Sequence, residues 1–259
     1  MKFNKNKYQL DFSKALPGVL NENKRRLKAN KMISVIEDYL HKNNRKMFGI
    51  NCLDIGGSAG FVAKLLSKRA ARVTIIDIDK NALNIGKKIN CAKNIKYQLA
   101  DAMNLPFKDN TFDLIICNQV YEHVPSAERL ISEIYRVLNE EGICYFGAVN
   151  KYDIIEKHYK LPFLSWLPRN IANKYLKLFR KIEYYEMPLS YFELKKLFKR
   201  FKMIDYSHKI VKNPAKFYSS DVINPHGILT RFPEGLLKVL IPIMPSFVFI
   251  LVKEGKNGT

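Results

Sequence analysis

A glycine-containing turn between two apolar segments is the feature that most limits what this chain can fold into. Residues 53–60 read LDIGGSAG, and residues 73–77 read VTIID after a helix-length interval. Short apolar, β-branched runs indicate buried strands, and glycines let the backbone approach a ligand and expose the amides at the start of the next helix. Asp77, at the end of the second strand, can accept hydrogen bonds from ribose hydroxyls. The pattern therefore predicts a site for a nucleoside-containing cofactor.

Two common nucleotide motifs do not fit this turn. The dinucleotide motif G-x-G-x-x-G needs a glycine at the position of Ser58, where the backbone approaches a pyrophosphate, and the Walker loop needs a Gly-Lys-Ser/Thr sequence that does not follow. Asp54 would repel a pyrophosphate, but it suits a ligand that carries an amine or another positive charge. The turn therefore favours a cationic nucleoside cofactor.

The turn resembles the first motif, D-x-G-x-G-x-G, of the class I S-adenosylmethionine-dependent methyltransferases. It departs from that motif at Ser58, where the family usually has its middle glycine. Further motifs follow in the family's order: a third strand over 95–99 that leads into Asp101, a fourth strand within 111–124, and a fifth strand over 143–149. The resemblance covers residues 50–150 closely. In pattern it is nearest to the small-molecule methyltransferases of the ubiquinone-biosynthesis type, the type 11 branch.

The resemblance implies an enzyme that uses S-adenosyl-L-methionine, bound at the turn and at the ends of the strands. Asp101 matches the acid that accepts from the adenine amino group, and the loop after the fourth strand matches the part that faces the methionine. The predicted cofactor-binding residues are Asp54, Gly56, Gly57, Ser58, Gly60, Asp77, Ile78, Asp101, Ala102 and Asn118. No metal site is predicted, because Asp and His residues do not converge at ligand spacing in the sequence.

Strand patterns that alternate with helix patterns predict an α/β fold. The resemblance makes it Rossmann-like, a doubly wound, seven-stranded, mostly parallel sheet with the last strand antiparallel and with helical cap insertions. The expected divisions are a basic N-terminal helical lid at 1–49, a cofactor-binding core at 50–150, a cap insertion at 151–188, and the C-terminal part of the core sheet at 189–259 with a second insertion at about 210–245.

Several element bounds follow from the same patterns. Ser190 followed by Glu193 indicates a capping box at the start of a helix over 190–200. The other helices are predicted at 21–42, 80–90, 126–138 and 171–182. A turn is predicted at 139–142, the sixth strand at 203–209 and the last strand at 246–253.

The net charge of +20 lies outside the predicted core. Residues 1–49 carry +8 and residues 151–217 carry +10, whereas 50–150 and 218–259 carry +1 each. One interpretation is an acidic partner or a membrane surface. The other is that lysine is abundant throughout the sequence and only solvates the surface.

The sequence also bears on location. No apolar segment follows the basic residues 1–6, so no signal peptide is expected. The four cysteines form no C-x-x-C pair, and three of them lie in apolar strand patterns, which suits a reducing compartment. Prolines and Lys238 interrupt the apolar run 232–252, which argues against a transmembrane helix. We expect a cytoplasmic protein, or one bound peripherally at the inner face of the membrane.

The long insertion after the fifth strand is expected to contact the methyl acceptor, because a loop of about forty residues in a compact domain is usually a functional cap. Its segment 158–168 (HYKLPFLSWLP) is similar to methyltransferases associated with bacterial surface-polysaccharide pathways. That resemblance implies a saccharide hydroxyl, free or on a lipid carrier, and a quinone-like or other lipid phenol fits the same residues. The predicted substrate contacts are Tyr159, Trp166 and His226. The basic amphipathic helix over 171–182 suits either an anionic membrane surface or packing on its own domain.

The chemistry follows from the cofactor. Methyl transfer from a sulfonium depends strongly on positioning, and a hydroxyl acceptor also benefits from a general base. His123, after the fourth strand, and His158, in the cap, are the candidate catalytic residues. The favoured function is therefore O-methylation of a small-molecule, saccharide or lipid-linked acceptor.

Two alternatives stay open. An RNA methyltransferase would use the basic flanks for phosphate contacts. DNA substrates are disfavoured, because amino-methylating adenine enzymes usually carry Asn/Asp-Pro-Pro-aromatic where residues 118–121 read NQVY, and the Pro-Cys pair of cytosine C5 enzymes is absent. The second alternative is a module that binds the cofactor without catalysis, which the acids Asp54, Asp77 and Asp101 make less favourable.

Overall fold

In the computed structural model, residue 13 and residues 21–179 and 184–253 are described. Within these residues seven strands form one sheet: β1 (Asn51–Ile55), β2 (Arg72–Asp77), β3 (Ile95–Leu99), β4 (Phe112–Asn118), β5 (Leu138–Val149), β6 (Phe201–Asp205) and β7 (Ser246–Lys253). The strand order is β3-β2-β1-β4-β5-β7-β6. The pairs from β3 to β5 are parallel, and β7 is antiparallel to both β5 and β6. The predicted fold class is confirmed.

Helices surround the sheet: α1 (Glu22–Lys42), α2 (Phe61–Leu66), α3 (Lys80–Ile89), α4 (Ala127–Val137), α5 (Arg169–Phe179), α6 (Tyr191–Leu197), α7 (Ser207–Lys212), α8 (Ile228–Arg231) and α9 (Glu234–Leu240). Short 3-10 turns lie at Tyr121–His123, Leu164–Trp166 and Ile241–Ile243.

Both faces of the sheet are buried under helices. Successive strand residues point to opposite faces, so Ile115 packs with Leu130 of α4 on one face. On the other face Ile75 belongs to a cluster with Ile36 of α1 and Leu83 of α3. Because both faces are covered, the carboxyl ends of the parallel strands are the part of the sheet that is open to a ligand.

Side-chain caps fix where several helices begin. Asn21, Asp79 and Ser126 each accept a hydrogen bond from a backbone amide in the first turn of α1, α3 and α4. At α6 the predicted capping box is present, with Ser190 and Glu193 bonding each other's backbone amides.

Two predicted boundaries are wrong. β5 begins at Leu138, and the predicted turn over 139–142 is a bulge inside the strand, because Leu138 pairs with Phe112 while Ile143 pairs with Leu114. The sixth strand spans Phe201–Asp205 instead of 203–209. It ends there because Asp205 Oδ1 accepts from the Ser207 amide at 2.7 Å, and this side-chain turn leads into α7.

The cap has a small core of its own. Tyr159, Leu164, Leu176 and Tyr184 are buried together, so α5 and the 3-10 turn before it pack as one unit. The predicted helix over 171–182 corresponds to α5, and residues 180–183 lie outside the described part of the chain. Among the described helices none is both long enough and apolar enough to cross a membrane. Residues 232–252 form α9, a 3-10 turn and β7 instead.

Candidate active site

A cavity of about 560 Å³ lies at the carboxyl ends of β1 to β4. The core contributes residues that directly follow those strands, and α1 and the cap contribute the rest. The wall includes Gly56, Ser58, Asp77, Ile78, Asp79, Asp101, Ala102, Asn118, Gln119, His123, Arg25, Lys28, Lys157, His158 and Lys160. A smaller adjoining pocket is lined by Asp54 and Gly57. The predicted cofactor residues and both candidate histidines are thereby brought to one place, except Gly60, which caps α2.

The glycine turn is closely packed against its neighbours. Gly60 has φ +76°, and a Cβ there would collide with the Tyr97 hydroxyl. A Cβ on Gly57 would come within 2.6 Å of Asp54 Oδ2. Ser58 has φ +50°, a left-handed conformation that costs a residue with a Cβ roughly 1–2 kcal/mol. This backbone requirement explains why a glycine is usual at the position of Ser58, and why Ser58 fills it without changing the turn.

Two carboxylates face the turn, the buried Asp54 and the half-buried Asp77. Asp77 Oδ2 accepts from the Ser58 amide at 2.9 Å, and its Oδ1 accepts from the Asp79 amide at 2.8 Å. Burial raises the pKa of Asp77 to about 6, against the lowering effect of these amides. Burial, and then the charge of Asp77, raise the pKa of Asp54 to about 7, while Arg25 opposes the shift. Ionising these acids is therefore costly until a positive charge arrives.

One buried polar atom bears on whether S-adenosylmethionine fits this site. Asp54 Oδ2 is buried and has no hydrogen-bond partner within the described residues. A buried carboxylate oxygen beside a ligand pocket calls for an N–H donor or a positive charge. S-adenosylmethionine carries both, in its amino group and its sulfonium. The residues of this turn therefore fit that cofactor.

Basic side chains from α1 and the cap stand opposite these acids. Burial lowers the pKa of Arg25, although Asp54 and Asp77 raise it. Lys28 Nζ donates to Gln119 Oε1 at 3.4 Å. Lys157 and Lys160 reach the same cavity from the cap. These four residues were not predicted as site residues. In the sequence they are marked only by the basic charge of the regions that carry them.

The two candidate histidines lie together. The ring centroids of His123 and His158 are 5.0 Å apart, in an edge-to-face arrangement. His158 Nδ1 lies 2.9 Å from Glu156 Oε1, and the backbone amide of His158 donates to Glu156 Oε2 at 2.8 Å. Burial lowers the pKa of His158, but Glu156 and the nearby acids Glu186 and Glu122 outweigh it and raise that pKa overall. Glu156 therefore holds the His158 ring in place.

His123 differs from its neighbour in charge. Burial, and then the charge of His158, lower the pKa of His123 to about 3, so this ring is neutral at physiological pH. Its Nδ1 lies 3.8 Å from Glu186 Oε1. Of the two rings, His158 is the one whose pKa is raised above its ordinary value. Glu156 and Glu186 were not among the predicted residues, although the Glu156-x-His158 spacing was visible in the sequence.

The structure does not bring the predicted substrate contacts to the cavity wall. Tyr159 is buried, and its hydroxyl donates to Glu186 Oε1 at 3.3 Å, so it supports the histidines from behind. Trp166 is half-exposed, with Nε1 donating to the Asp153 carbonyl at 3.0 Å. His226 is exposed in the second insertion. None of the three is among the residues that line the cavity.

Comparisons with known proteins agree with this geometry. Residues 53–146 match the methyltransferase domain family. The ubiquinone/menaquinone biosynthesis C-methyltransferase UbiE of Rickettsia prowazekii is 32% identical over 130 residues, which is 46% of this chain and 52% of that protein. The ubiquinone biosynthesis O-methyltransferase of Rickettsia akari is 26% identical over 160 residues, 59% of this chain and 62% of that protein. The chain thus spans about half the length of the curated relatives that it matches.

A solved structure shows the same fold. The S-adenosylmethionine-dependent methyltransferase of Mesorhizobium loti superposes with a TM-score of 0.55 at 14% identity, covering 83% of this chain and 96% of that one. The match to the methyltransferase domain family, residues 53–146, includes the glycine turn and the carboxylates Asp54, Asp77 and Asp101. The chain is therefore similar to the class I S-adenosylmethionine-dependent methyltransferases in fold and in this domain.

Proposed function

We propose that this protein transfers a methyl group from S-adenosylmethionine to a hydroxyl of a small acceptor, either a lipid-linked saccharide or a lipid phenol. The observation that carries the proposal is the pairing of His158 with Glu156 on the wall of the cofactor cavity. A histidine oriented by a carboxylate is suited to remove a proton from a hydroxyl near neutral pH.

The core residues bind and orient the cofactor. Asp77 is placed to accept hydrogen bonds from ribose hydroxyls, Asp101 to accept from the adenine amino group, and Asp54 to face the amine. When bound, S-adenosylmethionine supplies a methyl group that its sulfonium charge has already activated. The turn and the carboxylates therefore act by positioning, which accounts for much of the rate in such a displacement.

His158 is proposed as the general base. If Nδ1–H donates to Glu156, as the 2.9 Å distance implies, Nε2 carries the lone pair that accepts the proton of the acceptor hydroxyl. Glu156 then stabilises the imidazolium that forms. His123, which is neutral, packs against the His158 ring and restricts its rotation.

The surface of the cap supports an apolar or lipid-linked acceptor. Trp166 contacts both Tyr152 and Phe163 edge to face, with ring centroids 5.6 and 5.1 Å apart, and the three side chains are 44–48% exposed. The relatives that act in ubiquinone biosynthesis point to an acceptor of this kind as well. We propose that this aromatic surface contacts the membrane from which the acceptor comes. Cosedimentation with anionic vesicles should fall in a Phe163→Ser, Trp166→Ser variant, and equal cosedimentation would reject the contact.

Transfer of a tritiated methyl group into fractionated cell extract tests the function. The label should enter the lipid phase or the saccharide fraction, whereas label in RNA would favour the nucleic-acid alternative. His158→Ala should reduce transfer roughly 10²- to 10⁴-fold, because the general base is lost. Its affinity for S-adenosylhomocysteine should stay within about twofold, because the cofactor residues are unchanged.

His226→Ala is the matched control, since it removes an exposed histidine outside the cavity. The pH profile adds a second readout. Transfer should rise with pH as His158 loses its proton, with a midpoint above 6.5, and Glu156→Gln should move that midpoint to lower pH. Full transfer by His158→Ala would contradict the proposed base, and transfer without S-adenosylhomocysteine binding would contradict the cofactor assignment.

A further inference from the structure

Basic side chains from two distant parts of the chain converge on the cavity. Arg25 and Lys28 come from α1, and Lys157 and Lys160 come from the cap. Like charges that gather beside a ligand cavity repel one another and lower the stability of the folded protein unless an anion joins them. The convergence therefore points to a negatively charged part of a ligand.

Lys28 shows the imbalance most clearly. Its ammonium donates to the neutral amide of Gln119 at 3.4 Å. Burial, and then the charges of Arg25, Lys157 and Lys31, lower the pKa of Lys28 to about 8, while the acid Glu122 opposes them. Three neighbouring cations and one acid leave an excess of positive charge at this point of the wall.

Lys157 stands next to the proposed base in the sequence and on the wall. Its ammonium donates to the Pro245 carbonyl at 3.2 Å and lies 3.8 Å from Asp153 Oδ2. Burial lowers the pKa of Lys157, although Asp153, Glu122 and Glu156 raise it. An anion held by Lys157 would therefore lie on the same side of the cavity as His158.

The cofactor does not account for all of this charge. The methionine carboxylate of S-adenosylmethionine carries one negative charge, and Arg25 is the cation that interacts with the cofactor-side acids Asp54 and Asp77. Lys28 adjoins Gln119, in the loop after β4, and Lys157 belongs to the cap. Of the three remaining cations, Lys28 and Lys157 are the two from different segments of the chain whose charges act on each other, so they are the pair that a second ligand would join.

We propose that Lys28 and Lys157 bind a phosphate or diphosphate group on the methyl acceptor and thereby hold its hydroxyl toward His158. This inference rests on the proposed function, because it assigns a substrate group to the same cavity. A phosphate group matches two ammonium groups in charge, whereas a simple carboxylate matches one.

Calorimetric titration of the full chain, saturated with S-adenosylhomocysteine, tests the inference with inorganic pyrophosphate, inorganic phosphate and acetate as probes. Saturation keeps the probes out of the cofactor site. Pyrophosphate should bind best and acetate at least about tenfold more weakly, with an affinity that falls as salt rises. Lys28→Gln and Lys157→Gln should each weaken pyrophosphate about tenfold, because each removes a charge-assisted contact.

Lys174→Gln is the matched control, because Lys174 is an exposed lysine of α5 that is not on the cavity wall, and it should change nothing. Glucose 1-phosphate and dodecyl phosphate, titrated in the same way, distinguish a phosphosugar from a lipid phosphate. The inference would be overturned if neither substitution changed the affinity for pyrophosphate, or if acetate bound as tightly as pyrophosphate. An RNA oligonucleotide that binds through these lysines while pyrophosphate does not would overturn it as well.

Different results would contradict the proposed function and the phosphate site. Absence of S-adenosylhomocysteine binding would contradict the proposed function. If the chain binds S-adenosylhomocysteine and methylates an acceptor but shows no anion affinity at Lys28 and Lys157, only the phosphate site is contradicted.

Discussion

The two sides of the cavity are built in different ways. The proposed cofactor side consists of Asp54, Asp77, Asp101 and the glycine turn, all at the carboxyl ends of the three successive strands β1, β2 and β3. The acceptor side is assembled from α1 and the cap, and it carries the cations and the histidine pair. The first is acidic and closely packed, and the second is basic and drawn from distant segments. The proposed cofactor side is thus built by local structure, whereas the proposed acceptor side depends on how distant segments pack together.

The largest effect should come from removing a carboxylate on the cofactor side. Asp77→Ala should weaken S-adenosylhomocysteine about 100-fold or more, because Asp77 is placed for the ribose and also fixes the Ser58 amide. Calorimetry measures this loss. Asp109→Asn, at an exposed acid paired with Arg136, is the control and should leave affinity unchanged. If Asp77→Ala bound normally, the cofactor side would not be where we place it.

The close packing of the glycine turn predicts the next effect, on stability. Gly60→Ala and Gly49→Ala both place a methyl group at φ near +77°, so both bear the left-handed strain of about 1 kcal/mol. Only at Gly60 does the new Cβ also collide with Tyr97, which should cost roughly 2 kcal/mol more. Urea unfolding gives the two free energies. Equal losses would mean that this side of the cavity is no more rigid than an open loop.

The acids should also make cofactor binding depend on pH. With pKa values of about 7 and about 6, Asp54 and Asp77 bind protons in mildly acidic solution, and a ligand with an ammonium group favours their ionised forms. Binding should therefore release protons, and affinity for S-adenosylhomocysteine should fall roughly 20-fold from pH 8 to pH 6. Titrations in buffers of different ionisation enthalpy count the protons. Asp54→Asn should remove most of the pH dependence of S-adenosylhomocysteine affinity. An affinity of the native chain that does not change with pH would contradict the prediction.

The smallest effect is expected at the departure from the family motif. Ser58→Gly relieves left-handed strain but gives the unfolded chain more freedom, so the free energy of unfolding should change by less than about 1 kcal/mol. S-adenosylhomocysteine affinity should also stay within a few-fold. A large loss of affinity would show that the Ser58 hydroxyl itself contacts the cofactor, and that the backbone of the turn alone does not account for binding on this side of the cavity.

Local patterns account for what was predicted correctly. The bounds of β3 and β7 match those read from the sequence. β3 alternates apolar and polar residues, as a half-buried strand does, and β7 is an apolar run whose length suits a buried strand. The capping box at Ser190 is likewise a property of four consecutive residues. The bulge in β5 and the early end of β6 were not predicted, because the first depends on pairing with β4 and the second on one hydrogen bond of Asp205.

The sequence by itself determined the fold class and predicted the proposed cofactor side of the cavity, because the turn, its glycines and its carboxylates lie on short segments that local patterns reveal. Only the tertiary structure decided that Lys28 meets Lys157, that His123 meets His158, and that Trp166 lies outside the cavity. Those relations depend on how α1 and the cap pack above the strand ends. Contacts between residues so far apart in the chain leave no periodic signal in the sequence.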